Sequence, residues 1–245
     1  MLAILGGSGL AQFSALAETR RIAARTAFGE PSGPLTLGQI GGREVLFLAR
    51  HGEGHSIAPH EINYRANIQA LKDAGASRIA AVATVGGIRR EFGPGALVVP
   101  DQIIDYTWGR ASTFFDGRGT KVTHIDFTWP YSAALRRAIV AAAGACGEMI
   151  ADGACYGVTQ GPRLETAAEI ARMERDGADL VGMTAMPEAA LAREAGLEYA
   201  AIAVVANHAA GKGDSAHEIS LSAIEEVVQR AMQRVRRILE RLAAA

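Results

Sequence analysis

The sequence is poor in the features that mark several functional classes. It has two cysteines, Cys146 and Cys155, in no metal-ligand pattern, and they read as reduced thiols of a cytoplasmic protein. It has no excess of either charge: 25 lysines and arginines oppose 26 aspartates and glutamates, for a net charge of -1. That balance argues against a nucleic-acid or anionic-membrane partner, which usually calls for a basic excess. No apolar run approaches the ~18 residues that span a bilayer. The start, Met1-Leu-Ala-Ile-Leu-Gly-Gly, lacks a basic n-region and a small-residue cleavage site, so no signal peptide is expected. There is no internal repeat, low-complexity segment or linker, so one domain over residues 1–245 is expected.

What is abundant is hydrophobic: 49% of the residues, enough for a sizeable core. Short apolar runs at 2–5, 44–49, 79–85, 96–100, 154–159, 179–183 and 199–206 read as strands buried on both faces. Amphipathic stretches at 60–74, 132–144, 165–176, 187–195 and 217–243 read as helices. The alternation predicts an α/β fold with a largely parallel or mixed sheet. In the last helix Leu221, Ile224, Val228, Ala231, Val235, Ile238 and Leu242 make one stripe, expected to pack on the sheet. Arg230, Arg234, Arg237 and Arg241 would then form its solvated side. Glu225, Glu226 and Glu240 interrupt that charge, which argues against nucleic-acid binding.

Candidate chemistry sits where apolar runs end. Gly6-Gly7-Ser8-Gly9 lets backbone amides and the Ser8 hydroxyl approach an anion. It matches neither the dinucleotide fingerprint nor the P-loop, and a plain strand-to-helix turn explains it equally well. Ala49-Arg50-His51-Gly52-Glu53-Gly54-His55 puts a planar fork of donors and two imidazoles in a glycine loop. A metal site there lacks an acidic or thiolate cluster at ligand spacing. Thr84-Val85-Gly86-Gly87 offers a hydroxyl and room for a flat ring at a strand's carboxyl end. Gln160 to Thr166, Gly182-Met183-Thr184 and Ala206 to Ala209 also follow strands. Taken singly, Glu165 fits a helix N-terminal carboxylate and Asn207 a loop cap.

Together the segments Gly6 to Leu10, Ala49 to Gly52, Ile62 to Asn67, Thr84 to Ile88, Gln160 to Arg163 and Met183 to Glu188 resemble the trimeric purine nucleoside phosphorylase and methylthioadenosine phosphorylase family. The likeness runs from Leu2 to about Leu239. It implies a mixed β-sheet surrounded by helices, a homotrimer, phosphate as co-substrate, and no metal or organic cofactor. It implies that Ser8, Arg50, His51, Thr84 and Thr184 bind phosphate. Met183 would lie against the ribose, with Val85, Gly86 and Ala209 also against the nucleoside. Leu164 stands where the family usually has phenylalanine beside the base. His124 looks like the residue that reaches a neighbouring subunit's site.

Two departures bear on the substrate. The methylthioadenosine branch carries two aspartates where this chain has Asn207 and Ala209, and serine where it has Glu165. Asn207 and Glu165 match the 6-oxopurine branch. An amide can accept from a protonated N7 and donate to O6, and a carboxylate can accept from N1–H. Counting from Asn207, Leu221 falls where the 6-oxopurine branch has a histidine for the 5'-hydroxyl, with Ile224 one turn on. A shift of four in the loop would bring His217 there instead. The expectation is phosphorolysis of a 6-oxopurine 5'-methylthionucleoside. The alternatives are a methylthioadenosine or general inosine/guanosine phosphorylase, and, from other classes, a nucleoside hydrolase or a binding protein. A hydrolase would need a calcium-binding aspartate cluster, which the N-terminal region lacks.

Overall fold

The expected apolar runs all become strands, and four more strands join them. In a computed structural model, which describes residues 1–10, 13–117, 119 and 121–245, the strands are β1 (Leu2–Gly6), β2 (Ala17–Ile22), β3 (Leu35–Ile40), β4 (Arg43–Ala49), β5 (Arg78–Gly87), β6 (Leu97–Val99), β7 (Gln102–Asp105), β8 (Ala151–Asp152), β9 (Cys155–Val158), β10 (Leu180–Gly182) and β11 (Glu198–His208). The helices are α1 (Tyr64–Asp73), α2 (Ala133–Ala145), α3 (Ala167–Asp176), α4 (Ala185–Glu194) and α5 (Leu221–Ala244).

The strands form one mixed sheet. Its main path runs β2-β3-β4-β1-β5-β10-β9-β7, and β11 pairs with both β5 and β6. β4, β1, β5 and β11 are mutually parallel where they pair, so their carboxyl ends lie along one edge. The end of β5 is shared: Gly86 and Gly87 pair with β10 antiparallel while β11 continues alongside.

Alternate residues of the central strands feed two cores, as the two-residue strand period requires. Ile4, Val45, Phe47, Ala80 and Val82 pack with α2 and α5. Leu5, Leu46, Leu48, Ile79 and Ala81 pack with α1 and α4. Side-chain caps fix helix starts: Asn63 accepts from the Ala66 amide, Ser132 from Leu135 and Ser220 from Ala223. Thr166 and Glu169 make a reciprocal capping box at α3.

One surface expectation needs correction. Arg234 is half-buried where a solvated side chain is expected, and it pairs with Glu148; Arg237 is exposed as expected and pairs with the same carboxylate. Arg234 also donates to the carbonyls of Gly95 at 2.8 Å and Met149 at 3.0 Å, tying α5 to the loops around the sheet. Arg230 and Arg241 are exposed as expected.

Candidate active site

Every parallel strand of the centre delivers a functional segment to the same edge, as α/β sheets do at strand carboxyl ends. Gly7 and Ser8 follow β1, Arg50 and His51 follow β4, Thr84 to Gly86 close β5, and Asn207 closes β11. Met183 and Thr184 follow β10, and Leu164 and Glu165 lead into α3. These segments enclose a cavity of about 540 Å³, a size that suits a small organic ligand. Ser8, Arg50, His51, Thr84, Val85, Gly86, Leu164, Glu165, Met183, Thr184, Asn207, Ala209, Leu221 and Ile224 all line it. His124 does not; it is exposed on the surface of its own chain.

At one corner the polar groups are hydroxyls, imidazoles and Arg50. Arg50 is completely buried and differs from the open fork that its sequence context suggests. Its Nε donates to Glu188 Oε2 at 2.6 Å and its Nη2 to Glu188 Oε1 at 2.9 Å. Nη1 donates to the Val82 carbonyl at 2.9 Å and Nη2 also to that of Leu5 at 3.4 Å. These bonds use four of its five N–H groups and leave one on Nη1. Glycine at position 7 makes this packing possible: a Cβ there would sit 2.5 Å from the Val82 oxygen and 2.9 Å from Arg50 Nη1. Burial alone would pull the Arg50 pKa down, but the Glu188 charge and hydrogen bonds outweigh it, so the net shift is upward.

His51 is buried beside Arg50, and its Nδ1 donates to the Ile57 carbonyl at 2.9 Å. That bond leaves Nε2 as the ring acceptor in the neutral form. Burial, helped by the Arg50 charge, lowers its pKa to about 4. The His55 ring lies 4.2 Å from that of His51, centroid to centroid, and its pKa is lowered by burial too. Thr84 Oγ1 donates to the Ser8 carbonyl at 3.3 Å, and Thr184 is buried at the start of α4.

The opposite corner pairs an amide with a carboxylate. The Asn207 Nδ2 gives one proton to the His208 carbonyl at 2.6 Å, leaving the second and the oxygen Oδ1 for a ligand. Glu165 Oε1 accepts from the buried Thr159 hydroxyl at 2.6 Å, which orients the carboxylate. The backbone beside it turns at Gly161, with φ of 62°, where a Cβ would meet Met183 Sδ at 2.4 Å.

The third corner is apolar: Leu164, Ile219, Leu221 and Ile224. His217 is not among the lining residues. The loop register therefore puts Leu221, not His217, on the cavity.

Comparison with known proteins assigns the family. Residues 1–244 match the family described as Phosphorylase superfamily. The chain belongs to the phosphorylase superfamily. A probable S-methyl-5'-thioinosine phosphorylase from Xanthomonas campestris pv. campestris is 57% identical over 91% of this chain and 89% of its own length. A 6-oxopurine nucleoside phosphorylase from Pyrococcus furiosus is 46% identical over 94% and 86%. A methylthioadenosine phosphorylase from Schistosoma mansoni, solved with adenine, superposes with a TM-score of 0.95 at 32% identity, covering 99% of this chain and 90% of the other.

In this phosphorylase-superfamily chain three site residues escaped the sequence reading. Glu188 lies 138 positions from its partner Arg50, a separation that no spacing rule detects. Thr159 is one threonine at the end of an apolar run. Ile219 precedes the helix whose apolar stripe starts at Leu221, so the stripe alone does not include it.

Proposed function

We propose that the chain catalyses phosphorolysis of a 6-oxopurine 5'-methylthionucleoside: S-methyl-5'-thioinosine and phosphate give hypoxanthine and 5-methylthioribose 1-phosphate. The observation that carries the reading is co-location. One cavity holds a hydroxyl-rich anion corner, an amide–carboxylate pair and an apolar corner, one for each part of that substrate pair. The names of the relatives support both the reaction class and the base.

A phosphate oxygen attacks C1' as the bond to N9 breaks. Positive charge builds on the sugar and negative charge on the base. Rate comes mainly from positioning and from groups already aimed at those charges. The Ser8, Thr84 and Thr184 hydroxyls and the remaining Nη1–H of Arg50 hold the phosphate, and His51 Nε2 accepts from its protonated oxygen. Asn207 Oδ1 accepts from protonated N7 and its free N–H donates to O6. Glu165 accepts from N1–H. Adenine would present an amino group at position 6 and a bare N1, leaving like facing like at two half-buried groups that the bound base would cover. Each mismatch costs about 1–3 kcal/mol, so discrimination of several orders of magnitude is expected. Ile219, Leu221 and Ile224 receive the methylthio group and leave a 5'-hydroxyl unpaired.

The reaction asks for no cofactor besides phosphate as co-substrate. The proposal includes a homotrimer in which His124 reaches a neighbour's site, supported by the exposure of His124 and of Trp108 and Trp129 in the same stretch. A cytoplasmic place is supported by two free cysteines; no helix among the described residues is long and apolar enough to cross a membrane.

The test is a panel of methylthioinosine, methylthioadenosine, inosine and guanosine, assayed with and without phosphate. Base release should require phosphate, and kcat/KM should be highest for methylthioinosine. Equal efficiency on methylthioadenosine would refute the base assignment; equal efficiency on inosine would refute the apolar-corner assignment.

A further inference from the structure

The one arginine of the anion corner is already neutralised. Glu188 is 1% exposed and meets the fully buried Arg50 with both carboxylate oxygens, at 2.6 and 2.9 Å. The Tyr199 hydroxyl donates to Glu188 Oε1 at 2.7 Å and holds the carboxylate from the other side. Glu188 does not itself line the cavity, so it acts through Arg50. Among the described lining residues there is no lysine and no second arginine.

We propose that Glu188 is a positioning residue that keeps the phosphate corner at zero net charge, so that bound phosphate presents its own negative charge to the reacting sugar. The proposal rests on the phosphate assignment made above. With Arg50 balanced by Glu188, the anion meets the Ser8, Thr84 and Thr184 hydroxyls, the Thr84 proton turning from the Ser8 carbonyl, and one N–H of the paired arginine. His51 and His55, each with a pKa lowered by burial, add no charge near neutral pH.

Two physical effects make that neutrality useful. An uncompensated guanidinium would bind the ground-state anion tightly, and binding that does not grow in the transition state does not raise kcat. It would also oppose the positive charge developing at C1'. A third effect concerns the empty enzyme, in which an unpaired buried arginine would be costly.

Glu188→Gln keeps the shape and an acceptor for Arg50 while removing the charge. With saturating nucleoside, its apparent KM for phosphate should fall about ten-fold, and kcat should fall by about as much. A glutamate that merely holds the arginine in place would give a raised KM instead; that result, or an unchanged KM, overturns the proposal. Tyr199→Phe removes a donor but keeps the charge, and should not lower the phosphate KM. If it lowers KM as far as Glu188→Gln does, charge is not the cause and the proposal is wrong. Should Glu188→Gln not fold, the wild type decides. Its phosphate KM should change less than about two-fold between about 0.05 and 0.5 M sodium chloride, whereas a rise of about ten-fold marks a net positive site and overturns the proposal. Base release that ignores phosphate in the wild type would overturn the phosphorolysis reading, and this proposal with it. A phosphate-dependent wild type whose Glu188→Gln variant keeps its KM removes this proposal alone.

Discussion

His51 ties ligand binding to acid stability through one hydrogen bond. Its Nδ1–H is committed to the Ile57 carbonyl, and burial with the Arg50 charge lowers its pKa from 6.5 to about 4. In the unfolded chain the ring takes up a proton near pH 6.5, and in the folded chain only near pH 4. The folded state therefore binds fewer protons in between. The His51 contribution is fully present above pH 6.5 and is lost as pH falls towards 4, where the loss levels off. A shift of this size corresponds to a loss on the order of 3 kcal/mol. Denaturant midpoints at pH 7.5, 6, 5 and 4.5 should fall more steeply for the wild type than for His51→Gln, which cannot titrate. Parallel curves would show that another group governs the acid limb. His51 was legible in the sequence because three of the six histidines, His51, His55 and His60, crowd into one segment after an apolar run. Arg50 was legible as a cation but not as an ion pair. Its partner arrives from a helix on the far side of the chain, and only the fold brings the two together. Asn207 and Glu165 stood out through resemblance alone, since each has an ordinary local explanation as a cap.

At the scale of elements, α5 is two helices in one. Its apolar stripe is continuous in the sequence, and a uniform stripe predicts a uniform core face. Val228, Ala231, Val235, Ile238 and Leu242 are indeed buried against the sheet. Leu221 is 67% exposed and Ile224 half-buried, because the first turn overhangs the cavity instead of the sheet. The two halves should respond differently to substitution. Leu221→Asn should change stability by no more than about 0.5 kcal/mol, while lowering the preference for 5'-methylthio over 5'-hydroxyl nucleosides by about ten-fold. Ile238→Ala should cost about 2–5 kcal/mol of stability and leave the preference ratio alone. Thermal unfolding and kcat/KM on methylthioinosine and inosine read both. An unchanged ratio in Leu221→Asn would remove this helix from substrate selection. The same scale shows where reading the sequence fell short. β2 has no apolar run, being an exposed, charged edge strand. β7 and β8 are only four and two residues long. Each gains its conformation from a neighbouring strand, which local pattern cannot reveal.

At the scale of the whole molecule, the longest stretch outside helices and strands among the described residues lies between β7 and α2. From Tyr106 to Ser132 no described residue lies in a helix or strand, much longer than most connections in a compact domain. It is nevertheless anchored. Thr113 and the Phe114 amide both donate to Glu194 at 2.7 Å, and Arg193 donates to the carbonyls of Asp126 and Trp129. Arg110 donates to the carbonyls of Gln160 and Met183, each at 2.9 Å, within the loops that carry the base corner and the ribose side. Trp108 and Trp129 meanwhile stand 72% and 62% exposed. Large aromatics left open on an anchored surface are characteristic of interfaces. In the proposed trimer this stretch meets a neighbour and carries His124 towards its cavity, while Arg110 links the interface to the site of its own chain. Dissociation should then lower activity even though every other lining residue is internal. Light scattering at assay concentration should give a particle of three chains, and kcat per chain should fall on dilution into the range where that particle separates. Trp108→Glu combined with Trp129→Glu should favour the single chain, with a raised KM for the nucleoside because His124 is withdrawn and the Arg110-anchored loops loosen. A single chain that retains full kcat and KM would show that the cavity is complete by itself, and that the exposed tryptophans serve some other contact.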